Sequence, residues 1–283
     1  FQHSLCSSLI AGAFEGPDRR VALGTYNASG DTGKLLFTGI ARVLFGFQVG
    51  WQGLAAGYGF VALTAAGILW FVLRAINKSS AIPATLRART VVGGWGVRDR
   101  MGFVTLASIV FLDIAVQDGF LVFVAFLMVA KEVPPALAAF AVVATLAGGV
   151  CGKFACGHLA AKLGVVRSLV LVQSLTAIVM TVVYFSPTIV AFILLPLLGV
   201  VLQGSSSISY ATVSNFVHDA RQSRGFAAIY TMSNGASVAG PLVFGFVADS
   251  FHLGVSVAAM VGATLITLPL AIFLRPALKR TDA

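Results

Sequence analysis

The chain has 283 residues, 58% of them apolar and 10% charged, with a net charge of +9 and a mean hydropathy of +0.94. No soluble domain of this size can hide so much apolar surface, so the composition excludes one and defines a polytopic membrane protein. The apolar runs are long and non-alternating, which excludes barrel strands and leaves helices to satisfy the backbone polar groups in lipid.

In chain order, the sequence predicts a helical stump over 1–14. Eight full spans follow, at roughly 21–47, 51–74, 103–130, 136–160, 165–185, 189–215, 223–250 and 253–274, each near the ~20 residues a bilayer requires. Turn signals fill the short gaps: Gly16-Pro17-Asp18, Pro134-Pro135, Ser186-Pro187 and Gly254. The longest gap, 75–102, is polar and rich in Arg, Gly and Ser. It divides the chain into a first helix group at 1–74, a central linker at 75–102 and a six-helix bundle at 103–283.

The basic residues sit in the gaps between spans. The positive balance therefore reports topology and attraction to anionic lipid, not nucleic-acid binding. Arg19, Arg20, Arg74, Lys78, Arg87, Arg89, Arg98, Arg100, Lys162, Arg167, Arg221, Arg224, Arg275, Lys279 and Arg280 fall on one side if the spans alternate. That side, with the linker and the C-terminus, is expected to be cytoplasmic. Lys131 is the exception.

Cys6, Cys151 and Cys156 make no disulfide framework, and the two in span 136–160 read as small packing residues. The sequence holds no H-E-x-x-H, no G-x-S-x-G and no clustered metal ligands, so neither an enzyme nor a cofactor or metal site is expected.

"RVALGTYNASG" (20–30) parallels "RGFAAIYTMSN" (224–234): Arg20 aligns with Arg224, Tyr26 with Tyr230 and Ser29 with Ser233. Each window opens a span just after a basic loop, which points to two parallel halves. On that reading about three and a half helices of the first half lie upstream of Phe1.

Six plus six helices around a cytoplasmic linker resemble the major facilitator superfamily. "GHLAAKLGVVRSL" (157–169) resembles its cytoplasmic-loop pattern through Gly157, Leu159, Lys162 and Gly164. Ala161 stands in place of the usual Asp, and Val165 in place of a basic residue. "GASVAGPLVFG" (235–245) resembles its G-x-x-x-G-P helix motif, with one extra residue between the glycines and with Gly235, Gly240 and Pro241 as helix-shape residues. The stretches "FQHSLCSSL", "ALGTYNASGDTGK", "FLDIAVQDGFLVF" and "GGVCGKFACGHLA" are similar to fosmidomycin-resistance-type drug efflux transporters. The resemblance implies an all-α bundle corresponding to helices four to twelve of a twelve-helix fold. It also implies a multi-pass protein of the bacterial inner membrane that exports small molecules by proton antiport, and so a part in antibiotic resistance. The expected partners are a small-molecule substrate, protons and the bilayer, with the protein a monomer. Uptake of a metabolite on the same fold, or a non-transporting fragment of such a carrier, are the alternatives.

"SGDTGKLL" (29–36) imitates the end of a phosphate-binding loop, but Ala28 and Leu35 stand where that loop needs Gly and Ser or Thr. Asp31 instead lies ~15 Å into its span, near the midplane. An ion there costs at least ~2.5–3.5 kcal/mol unless paired. Lys34 follows at i+3, on the same face. The two either neutralise each other between helices or face a cavity to bind substrate or exchange a proton. Gly30 and Gly33 are expected to admit a neighbouring helix.

Asp113 and Gln117 form a second constellation, at i and i+4. No Lys or Arg shares their span, and removal from water disfavours a carboxylate's charged form. Asp113 is therefore a proton-carrier candidate, with a structural hydrogen bond as the alternative. Lys153 is expected either to snorkel or to pair with Asp113. Arg42 is expected to snorkel, and Asp249 to cap an interface. By the resemblance, Gln2, His3, Gln203 and Ser206 lie on cavity-lining helices. With Gln117 and Lys153 they are the substrate-contact candidates.

Overall fold

Apolar runs punctuated by proline and glycine fold into helices throughout the computed structural model, which describes residues 2–79 and 94–281 apart from some side chains, among them Gln2, Arg42 and Lys78. The helices are α1 (Gln2–Ala13), α2 (Gly16–Gly46), α3 (Trp51–Ser79), α4 (Arg100–Ala130), α5 (Pro135–Leu163), α6 (Val165–Phe185), α7 (Thr188–Thr212), α8 (Gln222–Ser250) and α9 (Leu253–Thr281). Two 3-10 turns, Val213–Phe216 and Asp219–Arg221, join α7 to α8. Among the described residues the extended pairing is a single bridge between Val97 and Val217.

Local chemistry sets the boundaries. Asp99 caps α4 by accepting a hydrogen bond from the Gly102 amide at 2.8 Å, and its other carboxylate oxygen pairs with Arg280 at 3.2 Å. Pro135 opens α5 at a position whose amide needs no partner. Gly164 joins α5 to α6 with φ +82°, a conformation glycine adopts without a Cβ penalty.

Among the described residues, six helical segments are long and apolar enough to cross a membrane: Trp51–Val72, Arg100–Ala130, Leu137–Leu163, Val165–Phe185, Thr188–Phe216 and Leu253–Arg280. The predicted spans 21–47 and 223–250 also form long helices, α2 with 31 residues and α8 with 29. Ionisable and small polar side chains, such as Asp31 and Lys34 on α2 and Ser233 and Asn234 on α8, dilute their apolar character. The protein is thus an all-α polytopic bundle.

The helices form two compact units, Phe1–Thr32 with Gly93–Ala283, and Gly33–Val92. In the larger unit α4 packs on α8 and α9, α6 on α7 and α9, α5 on α7, and α1 on α8. The α5–α7 seam is backbone against backbone. A Cβ added at Gly148, Gly152 or Gly199 would lie 1.9, 2.0 or 2.0 Å from the carbonyl oxygen of Pro196, Val200 or Thr145. Small residues spaced by four permit this approach, as membrane helices require when lipid supplies no hydrophobic drive to associate. In the smaller unit Tyr58 Oη donates to Phe37 O at 2.6 Å, and the Arg74 guanidinium lies 5.0 Å from the Trp70 ring centre.

Lys131, out of place in the charge pattern, has a structural task. Its ammonium donates to the carbonyls of Tyr184 at 2.7 Å and Ser186 at 2.6 Å, and its own carbonyl accepts from Thr188 Oγ1 at 3.1 Å. It thereby ties the α4–α5 turn to the end of α6 and satisfies carbonyls that the helix leaves unpaired. At the opposite end of the bundle, the Arg98 amide donates to Phe216 O and the His218 amide to Gly96 O, both at 2.8 Å. Residues 80–93 of the predicted linker, with Arg87 and Arg89, lie outside the described residues.

Candidate functional site

Asp113 is 3% exposed in the middle of α4. Gln117 Nε2 donates to its Oδ2 at 2.9 Å, Gln173 Nε2 on α6 donates to Oδ1 at 2.8 Å, and Ser205 Oγ on α7 lies 2.8 Å from both oxygens. Three helices thus converge on one carboxyl group. Gly240 of α8 closes on the same stretch of α4: a Cβ there would meet Ala115 O at 2.3 Å. Lys153 and Cys156 of α5 and Tyr210 of α7 lie within electrostatic range of Asp113.

The geometry accommodates Asp113 with or without a proton. When it is ionised, two amides and one hydroxyl can donate to it. When it is protonated, it can donate to Ser205 Oγ while the Ser205 proton turns to Leu202 O, 3.0 Å away. The carboxyl group keeps hydrogen-bond partners in both states, as a buried polar group must.

Asp31 forms an ion pair with Lys153, and the two side chains are 9% and 12% exposed. The contact belongs to an antiparallel α2–α5 crossing. A Cβ at Gly24 would lie 3.1 Å from Lys153 O and 3.2 Å from Gly157 Cα, and Arg20 Nη1 donates to Ala160 O at 3.3 Å. Arg20, Gly24 and Asp31, at i, i+4 and i+11, share one face of α2. Two expectations are corrected here. Lys153 neither snorkels nor takes Asp113 as its ion partner, because the α2–α5 register brings Asp31 to it. Gly24 admits the neighbouring helix, whereas no side chain or foreign backbone among the described residues comes within 4 Å of a Cβ built at Gly30 or Gly33. Lys34 is exposed.

A third cluster gathers around His3. Its Nδ1 lies 3.2 Å from Tyr26 Oη, and its ring stacks on Tyr230 with centroids 5.5 Å apart. Ser7 Oγ lies 2.9 Å from Tyr230 Oη, Tyr210 stacks on Tyr230 at 4.7 Å, and Tyr210 Oη donates to Ser233 Oγ at 3.0 Å. The two tyrosines that align in the sequence repeat therefore meet at one histidine.

The remaining candidates are placed as follows. Gln203 and Ser206 are buried, Gln203 against Gly149 and Ser206 with its hydroxyl donating to Gln203 O at 2.8 Å. Gly235 faces open space, Gly240 packs on α4, and Pro241 lies inside α8 without ending it. Gly157 lies at the α2 contact, Lys162 in the last turn of α5 and Gly164 at the α5–α6 joint. The Gln2 side chain lies outside the described residues, as does that of Arg42. Gln173 and Ser205 escaped the sequence reading. A lone glutamine inside the apolar span 165–185 was the available signal.

Buried ionisable groups held between long apolar helices mark a functional site inside the membrane. Residues 106–283 match the Major Facilitator Superfamily, and the chain belongs to it. The fold is similar to the crystal structure of a bacterial homologue of the iron transporter ferroportin in its outward-facing state. The TM-score is 0.65 and the identity 17%, over 94% of this chain and 66% of that one. The chain thus spans about two thirds, 66%, of that protein's length. No curated protein matches it.

Proposed function

We propose that this chain is part of a secondary transporter that exports a small molecule by proton antiport, of the fosmidomycin-resistance type its sequence resembles. The observation that carries this reading is the Asp113 cluster, in which neutral donors from three helices surround a carboxyl group that keeps partners with or without its proton. Asp113 carries the proton. The Asp31–Lys153 pair gates the passage, and Lys34, Gln117 and His3 are substrate contacts. Two halves rock about a midplane site, so that protonation and substrate each favour one facing. The protein lies in the bacterial inner membrane as a monomer, with its C-terminus in the cytoplasm.

Counterflow measured beside pH-driven efflux, in the full-length transporter that carries this chain, tests the assignment. Asp113→Asn mimics the protonated group. It should abolish pH-driven export and leave substrate exchange intact. Normal pH-dependent export by this variant overturns the proton role.

A further inference from the structure

A hollow of about 250 Å³ lies between the turn that joins α1 to α2 and the 3-10 turns that join α7 to α8. Gly16, Arg19, Arg98, Ala211, Ser214 and Asp219 are among its walls. Arg19 joins two of these walls: its Nε donates to Phe14 O at 2.9 Å and its Nη1 to Ser214 Oγ at 3.0 Å. Ser214 is 2% exposed and donates in turn to Ala211 O at 3.2 Å.

Ser207 continues that wall into the bundle. Ser207, Ala211 and Ser214 stand at i, i+4 and i+7, on one face of α7 and the turn that extends it. Ser207 is fully buried, yet its Oγ has no hydrogen-bond partner among the described residues. Gln203 O, the carbonyl that a helical serine would use at i−4, already accepts from Ser206 Oγ at 2.8 Å. A buried hydroxyl left unpaired is destabilising, and such a cost persists where function needs the group.

We infer that Arg19 latches the transport passage shut at this end of the bundle and that Ser207 lines the passage behind it. The inference rests on the transport reading above, and on neither its direction nor its proton carrier. Arg19 stands beside the first-half repeat window and Ser214 lies in the second half, so their bond crosses between the halves. The second-half wall is braced without Arg19: the Arg98 amide donates to Phe216 O at 2.8 Å, and its guanidinium pairs with Asp219 at 3.6 Å. Arg19 holds Ser214 through a neutral hydroxyl, a weaker partner than a carboxylate, and one that water can replace. A bond of this kind favours one state without locking it.

Thiol labelling of the full-length transporter, its native cysteines replaced by serine, tests both roles. Ser207→Cys should react slowly with an impermeant maleimide added from the cytoplasmic side. Arg19→Ala should speed that reaction roughly tenfold by raising the open population. Ser214→Ala, which keeps the guanidinium and removes its acceptor, should do the same. Arg167→Ala, the loss of an exposed cation at the same end, should not. Ser168→Cys, at a buried position on α6, reports general loosening and should stay slow in every background. Unchanged labelling of Ser207→Cys in either latch variant, an equal rise with Arg167→Ala, or an equal rise at Ser168→Cys overturns the proposal. Counterflow of Asp113→Asn reads the proton role separately, so either reading can fail alone.

Discussion

Asp31 and Lys153 meet as an almost fully buried ion pair, although they stand on different helices and far apart in sequence. Each charge would be costly in the membrane interior alone. Together they form a dipole whose cost is much lower, provided the helix register holds them in contact. The register is set one to two turns away, where Gly24 and Gly157 let α2 and α5 touch. Charge pairing and close packing are therefore a single structural feature.

Breaking that pair from one side should be worse than removing it. Lys153→Ala takes the paired ammonium away from a buried carboxylate and should cost about 3–5 kcal/mol. Asp31→Asn combined with Lys153→Ala should recover most of that stability without restoring transport. Thermal unfolding in detergent and a transport assay on the same variants separate the two effects. A double variant as unstable as the single one means that the charges do not compensate each other.

The α5–α7 seam should reject a methyl group. Gly152→Ala puts a Cβ about 2.0 Å from Val200 O, so the helices must separate. Gly262→Ala, with nothing within 4 Å of its Cβ, serves as the control. The seam variant should lower the unfolding temperature by several degrees, as a loss of about 2 kcal/mol would. Equal unfolding temperatures would show that the seam tolerates expansion.

Ser205 distinguishes a proton carrier from a static hydrogen-bond cluster. Ser205→Ala leaves Gln117 and Gln173 to stabilise the ionised carboxylate but removes the hydroxyl that receives its proton. pH-driven efflux should fall at least tenfold while counterflow persists. Equal loss of both would mean that Ser205 only holds helices together.

Lys131→Met keeps the apolar stem and removes the donor to Tyr184 and Ser186. Hydrogen bonds from charged groups contribute about 1.5–3 kcal/mol, and the unfolding temperature should drop accordingly. An unchanged unfolding temperature would reduce Lys131 to a surface charge.

Orientation follows from the charge pattern and is open to labelling. In a chain whose native cysteines are replaced by serine, Asp219→Cys should react with an impermeant thiol reagent only from the cytoplasmic face, and Glu132→Cys only from outside. The reverse pattern would invert the topology.

The sequence by itself determined what depends on neighbours along the chain. Long apolar runs had to be helices because lipid offers the backbone no other partner. The proline punctuation at 134–135 and 187 ended them where the structure does. Asp113 and Gln117 were readable as neighbours because i and i+4 meet on any helix, whatever surrounds it. Tertiary structure decided everything that depends on the register between helices. It gave Lys153 to Asp31, made Gly24 the point of contact in place of Gly30 and Gly33, and brought Gln173 and Ser205 to Asp113. It also brought Tyr26 and Tyr230 to His3. A helix presents several faces of similar composition, and the one that meets a partner is chosen by close packing at small residues. One residue of slip turns a side chain by about 100°, so no pattern within a single helix could have named these partners.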